Sequence, residues 1–171
     1  TLGNYTIKYN VTDPCGNEAI EKIRNVEVIF GPVDAITDGS INQIVNEWVT
    51  EPTQLQFIYP FNIPYYGNVD RWNVSQVTDM SNLFINTNFN DDISNWDVSN
   101  VTNMSSMFEN SSFNQDISIW NVSNVTNMSS MFENSSFNQD ISIWNVSNVT
   151  DPSGTSSMFK DSNFNQDINI W

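Results

Sequence analysis

The sequence predicts an α/β repeat solenoid with about 24 residues per coil, preceded by part of an all-β domain. The first observation is the spacing of the tryptophans, which is 24, 24, 24, 24 and 27 residues for the series 48, 72, 96, 120, 144 and 171. The second is the near identity of segments 97–120 and 121–144, which differ only at their first residue. A fixed period of this length is typical of stacked-repeat proteins.

The apolar residues of one repeat predict its local structure. Trp120 and Val122 alternate as in a short strand. Met128, Met131 and Phe132 lie at i, i+3 and i+4, the spacing of one face of a helical turn. Because a single repeat cannot bury its own apolar face, we expect the strands to stack in a parallel ladder about 4.8 Å apart. The repeated tryptophans then lie buried in one column.

Three regions are predicted from the patterns along the chain: 1–31, 32–68 and 69–171. Residues 1–31 contain two alternating segments joined by a turn around Cys15, and we interpret them as the last strands of a β domain. Residues 32–68 are interpreted as a linker and a helical cap, with Ser40 as the N-cap residue. Residues 69–171 are the solenoid, and we expect the array to continue beyond the chain.

The last repeat is longer than the others. Three residues are added around Pro152 and Gly154. We expect this insertion to form a loop outside the core, where repeat proteins usually accept extra residues.

The charge of the chain excludes several classes of partner. The formal net charge is -15, with 20 acidic and 5 basic residues. Nucleic acids and anionic lipids bind clusters of lysine and arginine, so neither is expected as a partner. No apolar run approaches the length that spans a bilayer, and direct membrane insertion is therefore not expected.

The composition also argues against an enzyme. Histidine is absent and Cys15 is the only cysteine, so the usual general base and a cysteine-rich zinc site are both missing. A hydrolase that uses paired carboxylates, such as Asp91 and Asp92, is the alternative.

One aspartate recurs in each repeat and forms the acidic row, which consists of Asp92, Asp116, Asp140 and Asp167. Calcium favours carboxylate oxygens, and these residues are the candidate ligands if the protein binds that ion. The other interpretation is that each aspartate accepts backbone N–H groups in its own turn. No other metal or cofactor is predicted.

Two polar columns flank the predicted strand, and we call them the Asn/Ser rows: Asn73, Asp97, Asn121 and Asn145, and Ser75, Ser99, Ser123 and Ser147. They are the candidate binding face, which could present regularly spaced hydrogen-bonding groups to a glycan, to ice or to a protein. Alternatively, they form ladders along the stack and serve its structure and solubility.

The repeat WNVSNVTNMSSMFENSSFNQDIS resembles those of BspA-type leucine-rich-repeat surface proteins, which also occur in mycoplasma surface lipoproteins. The resemblance covers about 72–171 and implies a leucine-rich-repeat-like solenoid that is extracellular and serves adhesion. Separately, GNYTIKYNVTDPCGNEAIEKIRNVEVI resembles the last strands of bacterial Ig-like or hyalin-repeat domains. That resemblance implies the end of an Ig-like sandwich, in which a cysteine at the place of Cys15 can pair with an upstream cysteine that this chain lacks. The other interpretation is that Cys15 is a free, partly exposed thiol.

We therefore predict a segment of a cell-surface or filament protein that acts in adhesion or scaffolding. The alternatives are a glycan- or ice-binding module and, less favoured, the carboxylate hydrolase. The expected partners are a protein or glycan on another cell or matrix, or neighbouring copies in a filament. Both ends are expected to be covered in the native state, because uncapped coils expose apolar side chains and unpaired strand groups.

Overall fold

The fold is described from a computed structural model, which covers residues 3–9, 22–28, 35–50, 69–150, 152–169 and 171. The chain divides into two compact units, Thr1–Val33 and Asp34–Trp171.

The first unit contains two strands, β1 (Gly3–Tyr9) and β2 (Lys22–Val28). They pair antiparallel, with Gly3 opposite Val28 and Tyr9 opposite Lys22. A sandwich requires two packed sheets, and the described part of this unit holds one sheet of two strands. The predicted all-β sandwich is therefore wrong for the described residues. The turn that contains Cys15 lies outside them.

The second unit begins with helix α1 (Asp38–Thr50). Thr37 precedes the helix, and its backbone N–H donates to Ser40 Oγ at 3.1 Å, while the N–H of Ser40 donates to the Thr37 carbonyl at 2.9 Å. Ser40 is the third residue of α1, and its hydroxyl accepts the N–H of Thr37 as the N3 side chain does in a capping box. The N-cap position is therefore Thr37, and the assignment of that role to Ser40 was wrong. Ile41 and Val45 are buried in the same apolar cluster as the repeats. The rest of the predicted cap, residues 51–68, lies outside the described residues.

The repeats stack as coils with their aromatic side chains inside. Trp96, Trp120 and Trp144 are 3%, 4% and 4% exposed, which confirms their predicted burial. Two phenylalanine columns run beside them: ring centroids are 5.5 Å apart from Phe84 to Phe108 and 6.0 Å apart from Phe89 to Phe113, with nearly parallel planes. Each coil therefore buries its rings against those of its neighbours, as expected for repeats that are not stable alone.

A ladder of backbone hydrogen bonds joins successive coils. From Met80 to Asn86, every second N–H group donates to a carbonyl of the next coil, as in the bonds from Asn82 to Ser105 and from Phe84 to Met107, both 2.9 Å long. The same pattern recurs one coil later, from Ser106 to Ser129 and onward.

Linked turns occupy the same stretch of each coil. The N–H of Met107 donates to the Met104 carbonyl and the N–H of Glu109 to the Ser106 carbonyl, both three residues back. Ser106 and Asn110 have φ angles of 54° and 53°, which suit the third position of a type II turn. Among the residues that the structure describes, the eight non-glycine residues with positive φ lie at equivalent places in the coils: Asn82, Asn86, Ser106, Asn110, Ser130, Asn134, Ser157 and Asp161.

The predicted α/β class is therefore wrong. In the coils, the described residues form turns, the 3-10 helices Val69–Arg71 and Pro152–Thr155, and isolated parallel bridges from Asp79 to Asn103 and from Asn103 to Asn127. Two left-handed residues four positions apart in each coil, such as Ser106 and Asn110, interrupt any helix there. The turn from Val122 to Val125, closed at 2.9 Å, ends the predicted strand. Met128, Met131 and Phe132 are nevertheless fully buried.

Gly154 is buried in the coil that contains the three-residue insertion. Its carbonyl accepts the N–H of Met128 at 2.6 Å, just as the Asn127 carbonyl accepts the N–H of Met104 one coil earlier. A Cβ atom at Gly154 would lie 2.9 Å from the Thr126 carbonyl oxygen. Gly154 therefore holds a regular position in the ladder and the three extra residues precede it, so their place in a loop outside the core stays a prediction.

The carboxylate of Asp38 ends the ladder at the first coil. Its oxygens accept the N–H of Thr78 at 2.7 Å, the hydroxyl of Thr78 at 2.7 Å and the N–H of Asp79 at 3.0 Å. In the next coil the equivalent three groups, on Thr102 and Asn103, donate to the carbonyl of Thr78. Asp38 thus takes the place of the carbonyl that a preceding coil would supply, and joins α1 to the stack.

Candidate interaction surface

The Asn/Ser rows lie on the surface, and their polar atoms close turns within each coil. Asn121 Oδ1 accepts the N–H of Ser123 at 3.2 Å and its hydroxyl at 2.7 Å. Asp97 makes the same two bonds with Ser99, at 3.1 and 2.6 Å, and these bonds lower the pKa of the Asp97 carboxyl, the Ser99 hydroxyl being the larger cause. The acceptor oxygens of this row are therefore engaged inside the protein.

A further asparagine row, which sequence reasoning missed, links these turns along the stack. The side-chain amides of Asn100, Asn124 and Asn148 donate to carbonyls of the preceding coil, at 2.8, 2.7 and 2.6 Å. The acceptors are Ser75, Ser99 and Ser123. Their recurrence three residues after the first Asn/Ser row was the available signal.

The acidic row is exposed, and each member closes a turn. Asp92, Asp116 and Asp140 each accept the N–H of the serine two residues later at 2.9 Å, and Asp167 accepts that of Asn169 at 2.9 Å. The backbone N–H of Ser94, followed by its hydroxyl, lowers the pKa of Asp92. These are the contacts expected of a turn-capping aspartate.

Metal-binding side chains do not converge in the part of the chain that the structure describes, where no group of three or more histidine, cysteine, aspartate or glutamate side chains could hold an ion. Asp91 is exposed beside Asp92. Calcium binding at the acidic row stays a prediction.

Two large apolar side chains are exposed at equivalent positions of successive coils. Ile119 is 70% exposed and Ile143 is 71% exposed, and we call this pair the isoleucine row. Each follows its coil's member of the acidic row by three residues. The equivalent residue of the preceding coil is Asn95, which is also exposed. Sequence reasoning missed this row, although the change from ISNW to ISIW marked the position as one that accepts a polar residue.

One ion pair lies on a different row of the stack. Lys160 Nζ is 2.6 Å from Glu133 Oε1 and 3.4 Å from Asp161 Oδ2. The hydrogen bond from Lys160 lowers the pKa of Glu133. The acidic row takes no part in the ion pairs found among the described residues. It therefore presents uncompensated negative charge.

The described residues include no helix that is both long and apolar enough to cross a membrane.

Comparison with known proteins identifies a family. A family model described as "Mycoplasma protein of unknown function, DUF285" matches residues 53–171. No curated protein and no solved structure matches the chain. The resemblance to mycoplasma repeat proteins is thus confirmed at the level of the family. Because the match covers more than half of the chain, this protein belongs to DUF285, a family of mycoplasma proteins of unknown function.

Proposed function

We propose that the chain is a non-enzymatic segment of an extracellular surface protein of the BspA type, and that it acts in adhesion or scaffolding. The observation that carries this proposal is the regular exterior of the coil stack. Equivalent exposed side chains of successive coils form rows, such as the acidic row and the isoleucine row. Repeat proteins use such extended surfaces to bind partners.

The partner is a protein or glycan of another cell or of its matrix. Several weak contacts repeated along a row add up over a long surface, so a repeated module suits attachment. The binding-face role of the Asn/Ser rows is less favoured, because their acceptor oxygens already bind the turns.

The test is binding of the intact chain, displayed on beads, to cultured cells and to a panel of matrix proteins and glycans. We expect saturable binding above that of an unrelated protein of similar negative charge. Antibody labelling of intact producing cells is expected to detect the protein at the surface. Absence of both binding and surface labelling would contradict the proposal.

A matched variant separates adhesion from hydrolysis. Asp91→Asn combined with Asp92→Asn removes the candidate carboxylates but keeps an acceptor for the N–H of Ser94. We expect this variant to bind cells or matrix as the parent chain does. Turnover of a glycan or peptide by the parent chain, lost in the variant, would instead identify an enzyme.

A further inference from the structure

The isoleucine row is not required by the fold. Ile119 and Ile143 are 70% and 71% exposed, whereas Ile117 and Ile141, two residues earlier, are fully buried. In the preceding coil Asn95 occupies the same position with the same exposure class. The coils therefore stack with a polar side chain at this position. Because the isoleucine side chains are exposed, they add no free energy of burial to the stability of the chain.

Negative charge lies three residues from each member of this apolar pair. Asp116 and Asp140 precede Ile119 and Ile143 by three residues and are exposed as well. Lys160 is the sole basic residue from 72 to 171, and its ion pairs are with Glu133 and Asp161. The surface thus combines an apolar row with an adjoining acidic row that has no cationic neighbour among the described residues.

These features select among occupants. A second copy of the chain would bring its own acidic row, and the net charge of -15 opposes such association. A segment of another protein that carries both basic and apolar side chains would match both rows. Spacing favours a helix: ring centroids in these two coils are 6.2 Å apart, from Phe113 to Phe137, and side chains four residues apart on a helix are about 5–6 Å apart.

We propose that the isoleucine row and the acidic row together bind a cationic amphipathic helix presented by another protein. The apolar side of the helix covers Ile119 and Ile143, and its basic residues meet Asp116 and Asp140. This inference rests on the proposed function and specifies the chemistry of its partner.

The probe is a fluorescein-labelled synthetic helix of lysine and leucine, with leucines at i, i+3, i+4 and i+7, titrated with the intact chain and followed by anisotropy. We expect saturable binding that weakens about tenfold in the variant Ile119→Asn with Ile143→Asn. Each substitution introduces the residue that the preceding coil has at the equivalent position, Asn95, so we expect the fold to be retained. The single change Asn95→Ile extends the row and is expected to tighten binding.

Charge variants test the acidic half of the surface. Asp116→Asn with Asp140→Asn keeps the turn-closing acceptors, as Asn121 does, and is expected to weaken binding and reduce its salt dependence. Asp97→Asn removes one charge from another row and is the matched control, for which affinity should change less than twofold. A second peptide with glutamate in place of lysine is expected not to bind.

Three results would overturn the inference. They are equal binding by the isoleucine variant, equal binding of the glutamate peptide, and self-association of the chain that is lost in the isoleucine variant. If the chain does not bind the peptide but still binds cells or matrix, only the proposed chemistry of the partner is refuted. Loss of all binding in the bead assay refutes the proposed function itself.

Discussion

Removing the carboxylate of Asp38 is the perturbation that isolates the junction between α1 and the first coil. Asp38 accepts three hydrogen bonds, from the N–H and hydroxyl of Thr78 and from the N–H of Asp79. In Asp38→Ala these donors lose their partner at the end of the ladder. Loss of a capping carboxylate typically reduces the free energy of unfolding by about 0.5–2 kcal/mol. We expect a value in the upper half of that range, because one carboxylate serves three donors.

The assay is urea unfolding of the intact chain at neutral pH. For a slope of about 2 kcal/mol/M, the midpoint is expected to fall by about 0.5–1 M. Asp38→Asn keeps one acceptor oxygen and is expected to lose less stability. Asp91→Asn, which removes an exposed charge elsewhere, is the control and should leave the midpoint nearly unchanged.

The dependence on pH gives an independent check. The hydrogen bond from the Thr78 hydroxyl is the largest cause that lowers the pKa of Asp38; burial opposes it, and the backbone N–H groups of Thr78 and Asp79 lower the pKa further. A carboxyl whose pKa is lower in the folded state stabilises the fold above its unfolded pKa of about 3.9. That contribution is lost as the pH falls through the folded value. The stability difference between the parent chain and Asp38→Asn should therefore shrink below about pH 4. A difference that stays constant down to strong acid, or that is absent at neutral pH, would refute the capping role.

Three further predictions concern the stack itself. Trp120→Ala should reduce the free energy of unfolding by about 3–5 kcal/mol, because it leaves a cavity in the tryptophan column. Trp120→Phe should reduce it less. Equal reductions for the two variants in urea unfolding would argue against cavity formation. Ser106→Asn should raise the unfolding temperature, because asparagine tolerates positive φ better than serine. The reverse change at the equivalent position, Asn82→Ser, should lower it. Changes in unfolding temperature of the opposite sign would contradict the left-handed conformation of these residues. In Lys160→Met, NMR titration should find the pKa of Glu133 raised toward its ordinary value, and an unchanged pKa would mean that this ion pair does not form in solution.

The repeat period was enough to predict which side chains are buried. Trp120, Met128 and Phe132 recur at the period of the coil, and each is buried as expected. The backbone class could not be obtained in the same way, since apolar residues at i, i+3 and i+4 suit both a helical turn and a series of linked turns. The discriminating signal is the recurrence of Asn or Ser at positions such as 82 and 86, where φ is positive. Serine is not a strong marker of that conformation.

The candidate surface was predicted only in part. The Asn/Ser and acidic rows were recognised as surface columns, but their hydrogen bonds to the turns depend on local geometry that composition does not reveal. Asp38 contacts residues 40 and 41 positions away, and no periodic pattern marks so distant a contact. The isoleucine row was missed because Ile119 lies between two buried residues, Ile117 and Trp120, and its exposure follows from the turn that they close.

The most direct test of the linked-turn coil stack is detection of its ladder by NMR scalar couplings across hydrogen bonds. The first coil is suitable, because its sequence differs from those of the later coils. We expect a coupling from the amide nitrogen of Phe84 to the carbonyl carbon of Met107, and another from Asn82 to Ser105, since both bonds are 2.9 Å long. A coupling from Phe84 to the carbonyl of Met80, four residues earlier, would instead indicate an α-helical turn and would contradict the account.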